Sequence, residues 1–225
     1  MISSFAGKTL IQNLSSNSND FKVKEFLGCQ VPTSIVEGTV YVEDYVARIF
    51  LETLLDAELP ILRNRIAIES LNGESDISKR LEFPHSNYFH YKLIGVYDAD
   101  IKNSLNFSKL QWPHYFLPLN HGCVEQEIYE YTKDEEFQNV LCRDFQKNNF
   151  HLISVLSKIE GTDHHDWIYD FCKGLNIKIE ELIKTFFSFW KTKNENLLNE
   201  FIKDFSRNFI ETPIDTGSTK ELVPC

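Results

Sequence analysis

The sequence predicts an all-α protein, a compact helical bundle, and three stretches carry that reading. In the C-terminal third, Ile179, Leu182, Ile183, Phe186, Phe187 and Trp190 recur at helical spacing. Leu197, Leu198, Phe201, Ile202, Phe205 and Phe209 repeat the pattern after a break at Lys191–Asn196. Upstream, Phe137, Leu141, Phe145, Asn148, Leu152, Val155, Leu156 and Ile159 fall along one stripe of a single helix. Nearer the start, Val46, Ile49, Phe50, Leu54 and Ala57 form one face between a glycine-containing loop and a break at Pro60.

Taken in order, residues 1–20 include the Ser/Asn-rich run NLSSNSND and read as a flexible or loosely docked N-terminal arm. Residues 21–211 read as a single helical domain. Within it, Ile61–Leu71 and Asn87–Ile94 are expected to be short helices. Arg65–Glu69 and Tyr88–Tyr97 also read as strands by their β-branched and aromatic content, which leaves an α+β arrangement open. Asp163 is placed to cap a helix that carries His165, Asp166 and Trp167, with Gly174 at its C-cap. Residues 212–225, with two prolines and no sustained period, read as a C-terminal tail.

Composition excludes several classes. A chain of 225 residues, 42% hydrophobic and 25% charged, can bury a real core. Its 18 Phe, 9 Tyr and 3 Trp can fill that core or line a pocket for a flat ligand. The formal charge of −10 and the lack of a Lys/Arg cluster argue against nucleic acid and anionic membrane as partners. A basic protein partner suits such a surface, and a homo-oligomer stays open. Five widely spaced cysteines offer no zinc spacing or disulfide framework. With no signal peptide or apolar span in view, the expected location is cytoplasmic. GxSxG, P-loop, GxGxxG and HExxH motifs do not occur.

Several segments are similar to the TenA-like branch of the heme-oxygenase-like helical superfamily. They are VEGTVYVEDYVARIF, the run from His85 to Gly95, NVLCRDFQKNNF around Cys142, DHHDWIYDF, and the final helices ending at FSRNFIE. The resemblance spans roughly residues 21–211 and implies a helical cage acting on an aminopyrimidine of the thiamin type. It implies Cys142 as nucleophile and Glu211 as its acid/base partner. The helical wheel objects, since Cys142 lies roughly 90° off the centre of the Leu141–Phe145–Leu152 stripe. Asp144, Asn148 and His151 flank that stripe more closely. A row of polar groups on a buried helix requires a partner, either a ligand or an interhelical network.

The leading expectation is therefore an enzyme or binder of a small (hetero)aromatic molecule. Its catalytic groups are Cys142, Asp144, His151 and Glu211, and Asn148, Phe145, Tyr115 and Trp112 contact the substrate. Because the same superfamily hosts diiron oxygenases, an iron-dependent oxygenase is the alternative, with Glu82, His85, Asp144 and His151 as ligands. Glu82 and His85 are three apart and Asp144 and His151 seven apart, which puts each pair on one helix face. Against it, Asp44, Arg48, Glu52 and Asp56 form a stripe opposite Val46, Phe50 and Ala57, the pattern of a solvated face. No cofactor is otherwise indicated. A third reading is a non-catalytic acidic interaction or immunity protein. His85, His90, His114 and His121 occur among Trp112, Tyr115 and several prolines, a density that fits a pocket or a packed loop.

Overall fold

The computed structural model describes residues 2–5, 8–11, 36–84, 91–103 and 107–209. The chain divides into two compact units, residues 1–35 and 36–225. In the first, β1 (Ile2–Phe5) pairs antiparallel with β2 (Lys8–Ile11), Ile2 opposite Ile11.

The second unit is α/β, which overturns the all-α expectation. Four strands, β3 (Gly38–Val42), β4 (Ile66–Ser70), β5 (Lys92–Tyr97) and β6 (His114–Phe116), form one sheet of order β4-β3-β5-β6. All neighbours are parallel, with Val40 opposite both Ile68 and Ile94, and Tyr97 opposite Phe116. The physical reason the sheet was missed is that central parallel strands are covered on both faces. GTVYV and LIGVY are then short apolar runs with neither strand alternation nor helical period. Ile66–Ser70 and Lys92–Tyr97, where a strand reading stood open, are strands rather than short helices. The loop expected before the first helix is β3 itself.

Nine α-helices accompany the strands among the described residues: α1 (Tyr45–Glu58), α2 (Pro60–Arg63), α3 (Glu74–Leu81), α4 (Val124–Tyr131), α5 (Glu135–Asp144), α6 (Asn149–Lys158), α7 (His164–Leu175), α8 (Ile179–Lys193) and α9 (Glu195–Ser206). The helical periodicities of α1, α7, α8 and α9 were legible. The expected single helix from Phe137 to Ile159 is instead α5 and α6. Its break follows from Gln146 at φ 52° and from Asn148, whose side chain accepts the His151 N–H and so begins a new helix. Gly174 is not a cap. It lies inside α7, where a Cβ would meet Val155 Cγ1 of α6 at 2.6 Å, and Asn176 ends the helix in the left-handed region. No helix among the described residues is long and apolar enough to cross a membrane.

Alternate residues of the strands feed two cores. Val40, Val42, Ile66, Ile68, Ile94 and Val96 join α1 and the C-terminal helices in the larger one. Tyr41 and Tyr97 face the other way, onto Ile77 and Leu81 of α3 and onto Trp112. In the larger core, the Phe50 ring lies 5.8–6.2 Å from those of Phe186, Phe187 and Trp190, which docks α1 on α8. Glu127 of α4 is fully buried. It accepts from the backbone N–H groups of Asn120 and His121 and from Trp190 Nε1 at 3.0 Å, which pins the turn after β6 to α8. A buried carboxylate with several donors is satisfied, so Glu127 is a structural hub.

Gly38 lets β3 approach β5, because a Cβ there would stand 2.5 Å from the Lys92 carbonyl oxygen. Gly38→Ala should therefore lower stability by about 1–3 kcal/mol in urea unfolding. An unchanged midpoint would contradict this strand pairing.

Candidate functional site

In a parallel sheet, the crevice outside the carboxyl ends of the strands opens where the strand order reverses. Here the chain passes from β3 outward to β4, then returns to the other side of β3 for β5, so the reversal lies between β3 and β5. Each of those strands ends in acid. β3 runs straight into Glu43 and Asp44, and β5 into Asp98 and Asp100. Because Val42 pairs with Val96, the two acidic ends arrive side by side.

Above them is a cavity of about 420 Å³, lined by Glu43, Asp44, Glu74, Asp98, Asp100 and His165 among others, and by no lysine or arginine. The Asp98 backbone N–H donates to Glu43 Oε1 at 2.9 Å, which holds the Glu43 carboxylate at the strand ends. Asp98 is 6% exposed, and its Oδ1 is buried with no hydrogen-bond partner. Burial, followed by the charges of Glu43, Asp44, Glu125 and Asp100, pushes the Asp98 carboxyl well above its ordinary range. Burial also pushes Glu43 up to about 7, against the opposing hydrogen bond from Asp98. On α4, Glu125 is 3% exposed and is raised by burial and by Asp44, and the Cys123 thiol beside it is pushed up by burial.

Helix N-termini explain how such a cavity is tolerated. Asp44 caps α1 by accepting the Ala47 N–H at 2.8 Å. Gly73 precedes α3 without a side-chain cap, and Cys123 precedes α4. His165 lies in the first turn of α7, whose cap is Asp163. Four helices thus bring the positive ends of their dipoles to one place, offsetting part of the carboxylate repulsion. What remains is a buried acceptor with nothing to accept from, the local condition a cation relieves. Hard divalent cations such as Mg²⁺ or Mn²⁺ take carboxylate oxygens, the donor type that Glu43, Asp98 and Asp100 supply, although the oxygens of these three are not gathered within 4.8 Å of one another.

The residues expected from sequence lie elsewhere. Cys142 is half-buried on α5, and burial raises its thiol pKa, the wrong direction for a nucleophile. Asp144 ends α5 and pairs with Arg143 Nε at 2.7 Å, while His151 is exposed on α6. Asn148 is spent as a helix cap, and Phe145 packs against the larger core. Trp112 is buried and donates to the Phe83 carbonyl, and the Tyr115 hydroxyl accepts from Asn208 Nδ2 at 2.6 Å. Glu82 is an exposed C-cap of α3. His85, His90 and Glu211 lie outside the described residues. The helix break removes the continuous polar row on which a pocket around Asp144, Asn148 and His151 depended, and the sheet removes the all-helical cage.

Sequence reasoning missed Glu43, Asp98, Asp100 and Glu125, and it placed Asp44 on a solvated stripe. A signal for the first three was present. GTVYV-Glu-Asp and LIGVY-Asp-Ala-Asp are both apolar strand-length runs that stop at acids, the strand-end pattern of a parallel α/β site. Comparison with known proteins found no matching family model, curated protein or solved structure, so the TenA-like resemblance gains no support there.

Neutralising the unpaired carboxylate should stabilise the metal-free protein. Asp98→Asn is expected to gain about 1 kcal/mol or more, a rise of roughly 2–4 °C in Tm for a chain of this size. The check is thermal unfolding in EDTA, and a fall in Tm would show that Asp98 is satisfied in the fold.

Proposed function

We propose that this chain is a divalent-cation-dependent phosphoryl-transfer enzyme, hydrolysing a phosphate ester or anhydride at the carboxyl ends of β3 and β5. The observation that carries the reading is the buried, unpartnered Oδ1 of Asp98 within a cavity of carboxylates. Glu43, Asp98 and Asp100 are the cation ligands in this reading, and their side chains must close together to hold one ion. A bound ion would offset charge on phosphoryl oxygens and make a water molecule more acidic.

The chain's own groups supply the rest. Glu43 is held by the Asp98 N–H, so it meets an ion in a fixed position rather than as a free side chain. The start of α3 at Gly73, which has no side-chain cap, lies in the cavity wall, where the positive end of the helix dipole favours anionic oxygens. A cavity without lysine or arginine cannot attract a phosphate unaided, so cation and substrate enter as complementary charges. The three thiols among the described residues, Cys123, Cys142 and Cys172, are free and fit a reducing cytoplasmic setting.

The test is an activity screen on phosphomonoesters, phosphodiesters (nucleic acids included) and nucleoside triphosphates, with Mg²⁺ or Mn²⁺ and with EDTA. Hydrolysis should require the cation and fall by about 100-fold or more in Glu43→Gln and Asp98→Asn. Cys142→Ala should leave it unchanged. Cation-independent turnover, or full activity in Asp98→Asn, would overturn the proposal.

A further inference from the structure

At the cavity wall, Asp44 and His165 meet a third donor, Glu125, in a group distinct from the three strand-end carboxylates. Among the described residues, Asp44, Glu125 and His165 form the one group of three His, Cys, Asp or Glu donors whose ligand atoms all lie within 4.8 Å of each other. Each comes from the N-terminal end of a different helix: the cap of α1, the first turn of α4 and the first turn of α7. His165 Nδ1 stands 3.8 Å from Glu125 Oε1.

We propose that Asp44, Glu125 and His165 form a second cation position at the wall of this cavity, one that selects a transition metal such as Mn²⁺ over Mg²⁺. This deepens the phosphoryl-transfer reading by adding an ion of different preference beside the first.

Three features support it. First, Glu125 is almost fully buried, and its carboxylate stands with that of Asp44 and with the His165 imidazole nitrogen. Second, Asp98 lines the cavity shared by Asp44 and His165, and its buried Oδ1 is unpartnered, so the space between the strand ends and α7 is short of positive charge. Third, the chemistry of the donors differs from that of the neighbouring set. Mg²⁺ demands oxygen ligands and keeps its water, whereas an imidazole nitrogen suits the borderline transition metals. Donors of one ion at roughly 2.0–2.2 Å lie about 3–4 Å apart, so the group needs only a small closure. His165, with its side chain 62% exposed, can turn inward to provide it.

The measurement is Mn²⁺ binding counted by electron paramagnetic resonance, alone and against millimolar Mg²⁺, on the wild type, His165→Ala and Asp98→Asn, each checked for an unchanged fold by circular dichroism. The wild type should bind two Mn²⁺, one of which resists Mg²⁺. His165→Ala should keep only the displaceable ion, and Mn²⁺ affinity at the lost position should drop at least tenfold. Asp98→Asn should lose the displaceable ion and retain the resistant one. One Mn²⁺ in the wild type, lost in Asp98→Asn and untouched by His165→Ala, would overturn the second position and leave the phosphoryl-transfer reading standing. A resistant ion that survives in His165→Ala overturns it as well, and no Mn²⁺ at all sinks both readings.

Discussion

The parallel register of β3 against β5 is the constraint on which everything at the site depends. Val42 opposite Val96 sets Glu43 and Asp98 at adjacent strand ends, and the Asp98 N–H then locks onto Glu43. A slip of one residue would reverse every side chain on β3, sending Val40 and Val42 away from α1 and Tyr41 into the aliphatic core. The same hydrophobic packing that selects the register therefore also brings the acids together. Fold and site share one cause.

Burying mutually repelling carboxylates is expensive, and the architecture offsets it by where the helices begin. Each crossover starts its helix at the carboxyl end of a strand, so α1 and α3 point their N-terminal N–H groups at the cavity, and α4 and α7 do the same from beyond β6. Glu127 shows the contrast within one helix. Two residues after the strained Glu125, it is equally buried yet collects donors from Asn120, His121 and Trp190. Glu127 has been given its donors by the fold, whereas Glu125 has Cys123 and His165 beside it but also faces Asp44. That difference separates a structural acid from one kept available.

The helices were largely readable because each amphipathic stripe repeats over several turns, as from Ile179 to Trp190. Local capping chemistry was readable too at Asp163. The failures have specific physical origins. Asn148 lies in register with an apolar stripe, so periodicity alone carried one helix through what is a cap and a left-handed Gln146. Strands of five or six residues covered on both faces show no alternation, so GTVYV passed for a loop and LIGVY for the end of a helix. Asp44 matched a four-residue charge spacing with Arg48 and Glu52, yet it stands before the first turn of α1, where a side chain turns back toward the strand end.

By itself, the sequence determined where the helical stripes lie, because they depend only on neighbours a few residues away. It also settled the strong acidic excess. Only the tertiary structure decided that Glu43, Asp98 and His165, up to 122 positions apart in the chain (165 − 43), share one cavity. That meeting depends on strand order and register, which are set by long-range packing of both sheet faces and leave no local periodic trace.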